Sequence, residues 1–218
     1  SELKLDVLIF ADMMSEPLTY FLGIGSRIAP IQCLFWGNPV TSGSENIDYF
    51  ISGEHMEPSR SNPMSDNTQY SEQVLLLQGQ GIWYDQIPIP APLSVVEEKQ
   101  VFDDDDWLWY RNDPSAVVYI CPQSSFKLHP DFDMVLTRIL KTVSNSHLIL
   151  LKGRRDTWTK MVQNRMRSVM PPNVWKRVHF VKRVAGSDNF IRLIQKADVM
   201  LHPFPFGGSK TSADALAG

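Results

Sequence analysis

Two short segments carry residues suited to handling a charged leaving group. The first is Cys121-Pro-Gln-Ser-Ser-Phe-Lys-Leu-His-Pro130, which follows the apolar run Val117–Cys121 and leads into a helical pattern. A lysine at that place, Lys127, can neutralise the negative charge that builds on a departing diphosphate. Taken alone it reads as a solvated lysine in a loop. The second is Pro203-Phe-Pro-Phe-Gly-Gly-Ser-Lys-Thr-Ser-Ala-Asp214, which leaves a strand, crosses Gly207 and Gly208 and enters a helix. Glycine lets backbone approach a ligand closely, and a helix start aims unpaired N–H groups at an anion. Ser209, Lys210 and Thr211 add donors there, and Asp214, one turn inside, is within reach of a ribose hydroxyl. An ordinary glycine turn with a helix cap explains the same residues equally well. A Walker A loop does not, because no glycine precedes Lys210 at the required spacing.

Other chemistries find less support. His55, His129, His147, His179 and His202 show no paired metal-ligand spacing. His147 and His179 adjoin apolar strands and read as structural, whereas His202 ends a strand beside the glycine pair. Neither a nucleophile elbow nor a Ser-His-Asp order is present. The run Asp103–Asp106, followed by Trp107, Trp109 and Tyr110, reads as a solvated connection; a metal site is the alternative, without EF-hand spacing or glycine behind it. Lys152, Arg154, Arg155, Lys160, Arg165 and Arg167 form a basic cluster without a stacking motif, and read as a solvated face.

These segments need elements to position them. In the second half, strands are expected at Val117–Cys121, His147–Leu151, Val178–Val181 and Asp198–Leu201. Between them lie helical patterns: Pro130–Val143, with a buried stripe of Phe132, Val135, Ile139 and Val143; a helix capped by Asp156 or Thr157, with Trp158, Met161, Val162, Met166 and Val169 inward; and a short helix capped by Ser187. Pro130, Asp131 and Asp133 suit the first turn of the first of these. Strand and helix in alternation give a parallel, doubly wound sheet, whose ligands lie beyond the carboxyl ends of the strands. Both chemical segments fall at such ends. In the first half, Leu5–Phe10, Ile31–Trp36, Ile47–Ser52 and Val74–Leu77 read as strands, Pro17–Ile28 as a helix and Glu54–Asn67 as a loop. Pro88, Pro90 and Pro92 interrupt regular structure, which places a domain boundary between Pro88 and Pro114.

Composition sets the limits. The chain has 218 residues, 43% of them hydrophobic, enough for one large core or two small ones. A net charge of -3 gives no general attraction to nucleic acid or anionic membranes. No apolar run is long enough to span a bilayer, and the N-terminus has no signal-peptide anatomy. Cys33 and Cys121 lie in apolar runs and read as buried free thiols, which points to a reducing compartment. Both ends look cut, as in a fragment of a longer protein.

The chain resembles the catalytic region of the O-linked N-acetylglucosamine transferase family, glycosyltransferase family 41, in its bacterial and protist tetratricopeptide-linked form. The segments that carry the likeness run from Leu5–Phe10 through Arg27–Gln32, Trp36-Gly-Asn-Pro-Val-Thr-Ser-Gly43 and Asp48-Tyr-Phe50, then Tyr119–Pro130, then Ala197–Gly208 through Thr211 and Asp214. The resemblance implies an α/β, GT-B type architecture of two Rossmann-like halves with parallel sheets, both incomplete here. Residues 1–100 would be the C-terminal part of the acceptor-side half, 101–115 an acidic and aromatic linker, and 116–218 the truncated nucleotide-sugar-binding half. It further implies transfer of N-acetylglucosamine from UDP-GlcNAc to Ser or Thr of protein acceptors, without metal or cofactor. Lys127 would stabilise the diphosphate, and Thr211 with the backbone near Gly208 and Ser209 would hold phosphate. Ser124 and Lys210 would also lie on the donor, Asp214 would hold ribose, and the turn Val184-Ala185 would read the base. Gly37, Asn38 and Pro39 would lie near sugar and acceptor. A cytoplasmic protein, or a nuclear one in a eukaryote, with tetratricopeptide repeats and the catalytic base upstream of residue 1, completes the expectation, and the piece alone is expected not to turn over. Phe190 stands where animal members carry a histidine packed on uracil, Ser209-Lys210 replaces a His-Thr pair and Ser124 replaces a glutamine. Fucosyl or glucosyl transfer on the same scaffold, or a non-catalytic binding module, are the alternatives.

Overall fold

The computed structural model describes residues 4–13, 16–37, 40–57, 69–85, 87–102 and 113–217. They form two compact units, residues 1–83 and 84–218. The first has four parallel strands in the order β1 (Val7–Phe10), β2 (Ile31–Phe35), β3 (Tyr49–Gly53), β4 (Gln73–Leu77). Helix α1 (Pro17–Gly25) joins β1 to β2, and Phe10, Met13, Leu34, Trp36, Ile47 and Phe50 make the core. The helix stops short of the expected Ile28 for a physical reason. The fully buried Gln32 amide donates to the carbonyls of Ser26 and Asn46 and accepts from the N–H of Ile28, so these residues satisfy a side chain instead of a helical ladder.

In the second unit, four parallel strands take the order β7-β6-β5-β8: β5 (Val117–Cys121), β6 (Ser146–Leu151), β7 (Val178–Val181) and β8 (Val199–Met200). Side chains alternate across this sheet, as the pleat requires. Cys121, Leu148, Leu150 and Phe180 pack on one face with helices α3 (Pro130–Thr142), α4 (Asp156–Val169) and α5 (Pro172–Trp175). Val118, Ile120, Ile149, Leu151 and Val181 pack on the other with Phe102 and with Leu193 of α6 (Ser187–Ile194). A last helix, α7 (Lys210–Ala217), follows β8. Both cysteines are buried and free, and burial pushes the Cys121 thiol up to about 12.

The helix faces differ from the expected ones. In α3 the buried stripe is Phe132, Leu136 and Leu140 with Asp133, while Val135 is 38% exposed. In α4 it is Thr159, Val162 and Met166, with Trp158, Met161 and Val169 exposed. Phe132 in α3 and Val162 and Met166 in α4 are buried as expected. The apolar residues of each helix spread over one broad stripe, and the partner surface decides which side of it is covered. Asp133 can lie inside because Arg165 donates to its two carboxylate oxygens at 2.7 and 3.0 Å. Arg165 thus leaves the solvated face to which it was assigned. The caps also move by one residue: Arg155 precedes α4 and Gly186 precedes α6, leaving Asp156 and Ser187 as first helical residues.

The units divide after Trp83, ahead of the expected end of the first half at residue 100. Residues 84–102 belong with the second sheet. Helix α2 (Val95–Val101) is closed by a capping box between Ser94 and Glu97, Lys196 pairs with Glu98, and Arg192 donates to the Ala91 carbonyl. The expected linker 101–115 lies largely outside the described residues, including Asp103–Asp106, Trp107, Trp109 and Tyr110.

Candidate functional site

The order β7-β6-β5-β8 places a topological switch between β5 and β8: the chain winds outward from β5 to β7, then returns to the other side of β5. A crevice opens at the carboxyl ends of the strands at such a point. The loop after β5 and the loop after β8 both enter it. The first makes a short 3-10 turn, Ser125–Lys127, that presents Lys127. The second runs through Gly207 and Gly208 to Ser209, whose carbonyl receives the N–H groups of Ser212 and Ala213. Helix α7 therefore starts with the N–H groups of Lys210 and Thr211 lacking intrahelical acceptors.

The Lys127 ammonium donates to the Gly207 carbonyl at 2.9 Å and to Gln123 Oε1 at 3.2 Å, and lies 4.6 Å from the centre of the Phe206 ring. At its other end the Gln123 side chain meets Thr211 Oγ1 at 2.6 Å. One buried amide thus links the lysine loop to the helix start. Glycine is required at both positions of the turn by close approach. A Cβ on Gly208 would fall 2.4 Å from Thr211 Oγ1 and 2.5 Å from Gln123 Nε2, and one on Gly207 would enter the His202 ring. His202 lies behind this turn, paired with the Ser212 hydroxyl at 3.1 Å.

A cleft of about 260 Å³ opens beside these groups. Its polar side is lined by Gln123, Ser124, Lys127, Arg183, Ser209, Lys210 and Thr211, and its apolar side by Leu151, Val184, Phe190 and Leu193. No carboxylate lines it among the described residues. Burial holds the Lys127 pKa below the ordinary lysine value, since an ammonium withdrawn from water loses hydration. Cations on one wall and an aromatic-aliphatic surface on the other suit a ligand with an anionic end and a flat apolar end.

Of the residues expected on the donor side, Lys127, Ser124, Ser209, Lys210 and Thr211 come together at this cleft, and Gly208 packs directly against its edge. Asp214 is buried, and both its oxygens accept from Lys210 Nζ, at 2.8 and 3.0 Å. Ala185 follows Val184 but is not part of the lining, and its carbonyl accepts from the Asn189 amide at 3.0 Å. Gly37 sits in the first unit just past the carboxyl end of β2, exposed. Asn38 and Pro39 lie outside the described residues.

Sequence reasoning passed over Gln123, Arg183 and Tyr84. Gln123 stood inside a segment already singled out, and its place directly beyond β5 was the available signal. Tyr84, whose hydroxyl bonds Ser209 at the start of α7, has no local signature. His147 and His179 pair at 2.8 Å near the amino ends of β6 and β7, at the opposite end of the sheet from the cleft. Among the described residues no group of three or more acidic, histidine or cysteine side chains could hold a metal ion, and no helix is long and apolar enough to cross a membrane.

No family model matches the chain. It is 24% identical over 202 residues to the UDP-glucose:protein N-beta-glucosyltransferases of Actinobacillus pleuropneumoniae serotype 7 (strain AP76) and serotype 5b (strain L20), covering 91% of this chain. The chain spans only 28% of the length of those relatives. Among solved structures, a mutant of the Thermobaculum terrenum O-GlcNAc transferase superposes with a TM-score of 0.64 at 19% identity, covering 97% of this chain and 36% of that one. With its two parallel-sheet units and this likeness, the chain has the α/β fold of GT-B glycosyltransferases, and the sequences it resembles are those of protein glycosyltransferases.

Proposed function

We propose that the chain is part of a protein glycosyltransferase and that its second unit holds the diphosphate of a UDP-sugar. The observation that carries this reading is the bridge from Lys127 through Gln123 to Thr211 at the edge of a cleft whose lining, among the described residues, contains cations and no carboxylate. When the acceptor atom attacks the anomeric carbon from the opposite face, the bond to the diphosphate breaks and negative charge gathers on the departing oxygen. Lys127, Arg183 and the start of α7 receive that charge without reorganising. The uracil would lie against Val184 and Phe190, and the ribose near Lys210 and Asp214. No metal or other cofactor is required, since these cations supply the neutralisation. Gly37, Asn38 and Pro39 remain our assignment for the sugar and acceptor side.

For the sugar, the reading is N-acetylglucosamine passed from UDP-GlcNAc to Ser or Thr hydroxyls of a protein, in a parent protein with upstream tetratricopeptide repeats. Two buried free thiols suit a reducing, cytoplasmic setting. A second reading, glucose passed to asparagine, draws support from the names of the curated relatives. The test uses the longer parent protein with UDP-GlcNAc, UDP-glucose and GDP-fucose, against peptides offering Ser, Thr or Asn. Transfer from UDP-GlcNAc to hydroxyl acceptors supports the first reading, and transfer from UDP-glucose to Asn the second. Use of GDP-fucose alone would overturn the uridine assignment. Absence of any transfer, with no heat on mixing the 218-residue chain with UDP, would overturn the whole proposal.

A further inference from the structure

We propose that Gln123 is the positioning residue of the diphosphate seat: one neutral amide orients both the Lys127 ammonium and the Thr211 hydroxyl toward phosphate. The inference rests on the nucleotide-sugar reading above. It follows from counting protons. An ammonium only donates, so the Gln123 atom 3.2 Å from Lys127 Nζ is the amide oxygen. The atom 2.6 Å from Thr211 Oγ1 is then the NH2 group, which only donates. Thr211 Oγ1 accepts that bond, and its own hydrogen takes no part in it. Thr211 lines the cleft and makes no other side-chain hydrogen bond among the described residues, so its O–H remains available to an anion there. The ammonium is likewise held by two neutral oxygens, of Gln123 and Gly207, and keeps its full charge.

The arrangement is closely packed. Gln123 is 4% exposed, and a Cβ at residue 208 would stand 2.5 Å from its Nε2 and 2.4 Å from Thr211 Oγ1, so the bridge needs the bare Cα of Gly208 beside it. A carboxylate at residue 123 would reverse each effect. It would draw the Thr211 hydrogen toward itself and cancel the Lys127 charge before a phosphate arrived. The neutral amide therefore sets the donor direction on one side and preserves the cation on the other.

The test compares UDP with uridine on the 218-residue chain, by calorimetry and ligand-observed NMR. Gln123→Glu is expected to weaken UDP binding by about tenfold or more while leaving uridine binding unchanged. Gln123→Met, which keeps the volume and carries no charge, should lose less. In a Thr211→Val background, each Gln123 substitution should cost less than in the parent, because one effect runs through the other. The alkaline limb of UDP binding should also move to higher pH in Gln123→Glu, since a carboxylate favours the charged lysine. Folded Gln123→Glu and Gln123→Met proteins that bind UDP as tightly as the parent would overturn the assignment. Should Gln123→Glu fail to fold, Gln123→Met alone decides. A parent chain that binds neither UDP nor GDP would sink the nucleotide reading itself, an outcome distinct from tight binding that is indifferent to residue 123.

Discussion

The guanidinium of Arg165 encloses the buried carboxylate of Asp133 and, with the same terminal nitrogen, donates to the carbonyl of Leu128 at 2.8 Å. Leu128 is the residue after Lys127, so one side chain of α4 fixes both α3 and the turn that presents the ammonium. Arg165→Ala is expected to destabilise the fold by about 3 kcal/mol, because it leaves a buried carboxylate without its partner. Asp133→Asn should cost less, since the amide still accepts a hydrogen bond. Urea midpoints compared with the parent check this; an unchanged Arg165→Ala midpoint would show that the pair is dispensable.

Removing the ammonium should cost binding and spare the fold. Lys127→Met is expected to weaken UDP binding by about 2 kcal/mol, the scale of one charge-assisted hydrogen bond. Its melting temperature should be equal or higher, because a partly desolvated charge is gone. Transfer by the parent protein carrying Lys127→Ala should be abolished; turnover by a folded variant would remove Lys127 from the mechanism.

Binding should also depend on pH in a defined direction. Burial lowers the Lys127 pKa below 10.5, so the free site gives up its proton before an ordinary lysine would. Above that lowered pKa, a diphosphate must bind together with a proton. UDP affinity should therefore decline on the way up to 10.5, and Lys127→Met should lack this limb. A titration of UDP binding across alkaline pH, in both proteins, reads it directly.

Gly208→Ala tests the close approach. Its Cβ would stand 2.4 Å from Thr211 Oγ1 and 2.5 Å from Gln123 Nε2, so the bridge has to separate. We expect about a tenfold loss of UDP affinity with the sheet intact. Circular dichroism alongside calorimetry separates this result from unfolding.

The histidine pair at the other end of the sheet makes the second unit sensitive to acid. Burial, and then the neighbouring His147, push the His179 pKa down from 6.5 to about 3, and burial also lowers His147. The folded state therefore takes up protons on these rings at lower pH than the unfolded chain, which takes them up below about pH 6.5. Stability is full above that value and falls as the pH drops toward about 3. A loss of about 3 kcal/mol by roughly pH 4 is expected from His179 alone. Urea midpoints measured from neutral to acid pH check it, and a His147→Leu, His179→Leu double variant should show a shallower decline.

Much of this was readable before any coordinate. Short apolar runs bounded by turn residues marked the strands, and their alternation with helical patterns implied parallel sheets. The Ser94–Glu97 capping box was equally readable, although three prolines nearby led the stretch from Pro88 to Pro114 to be read as interrupted structure around a domain boundary. Which side of the apolar stripe of α3 and α4 is covered was not readable, because each stripe is broader than the surface it meets. The Asp133–Arg165 pair and the sheet beneath set that side.

By itself the sequence determined what each local segment could do: a lysine beyond one strand, a pair of glycines before one helix, and a spacing that made strands and helices alternate. The tertiary structure decided which of these segments would meet. Lys127 and the Gly207 carbonyl are 80 residues apart in the chain, and Gln123 and Thr211 are 88 apart. They touch because β8 returns beside β5 while β6 and β7 lie on the other side. Local preferences act over a few residues, whereas the placement of a strand in a sheet is settled by burial of both faces at once.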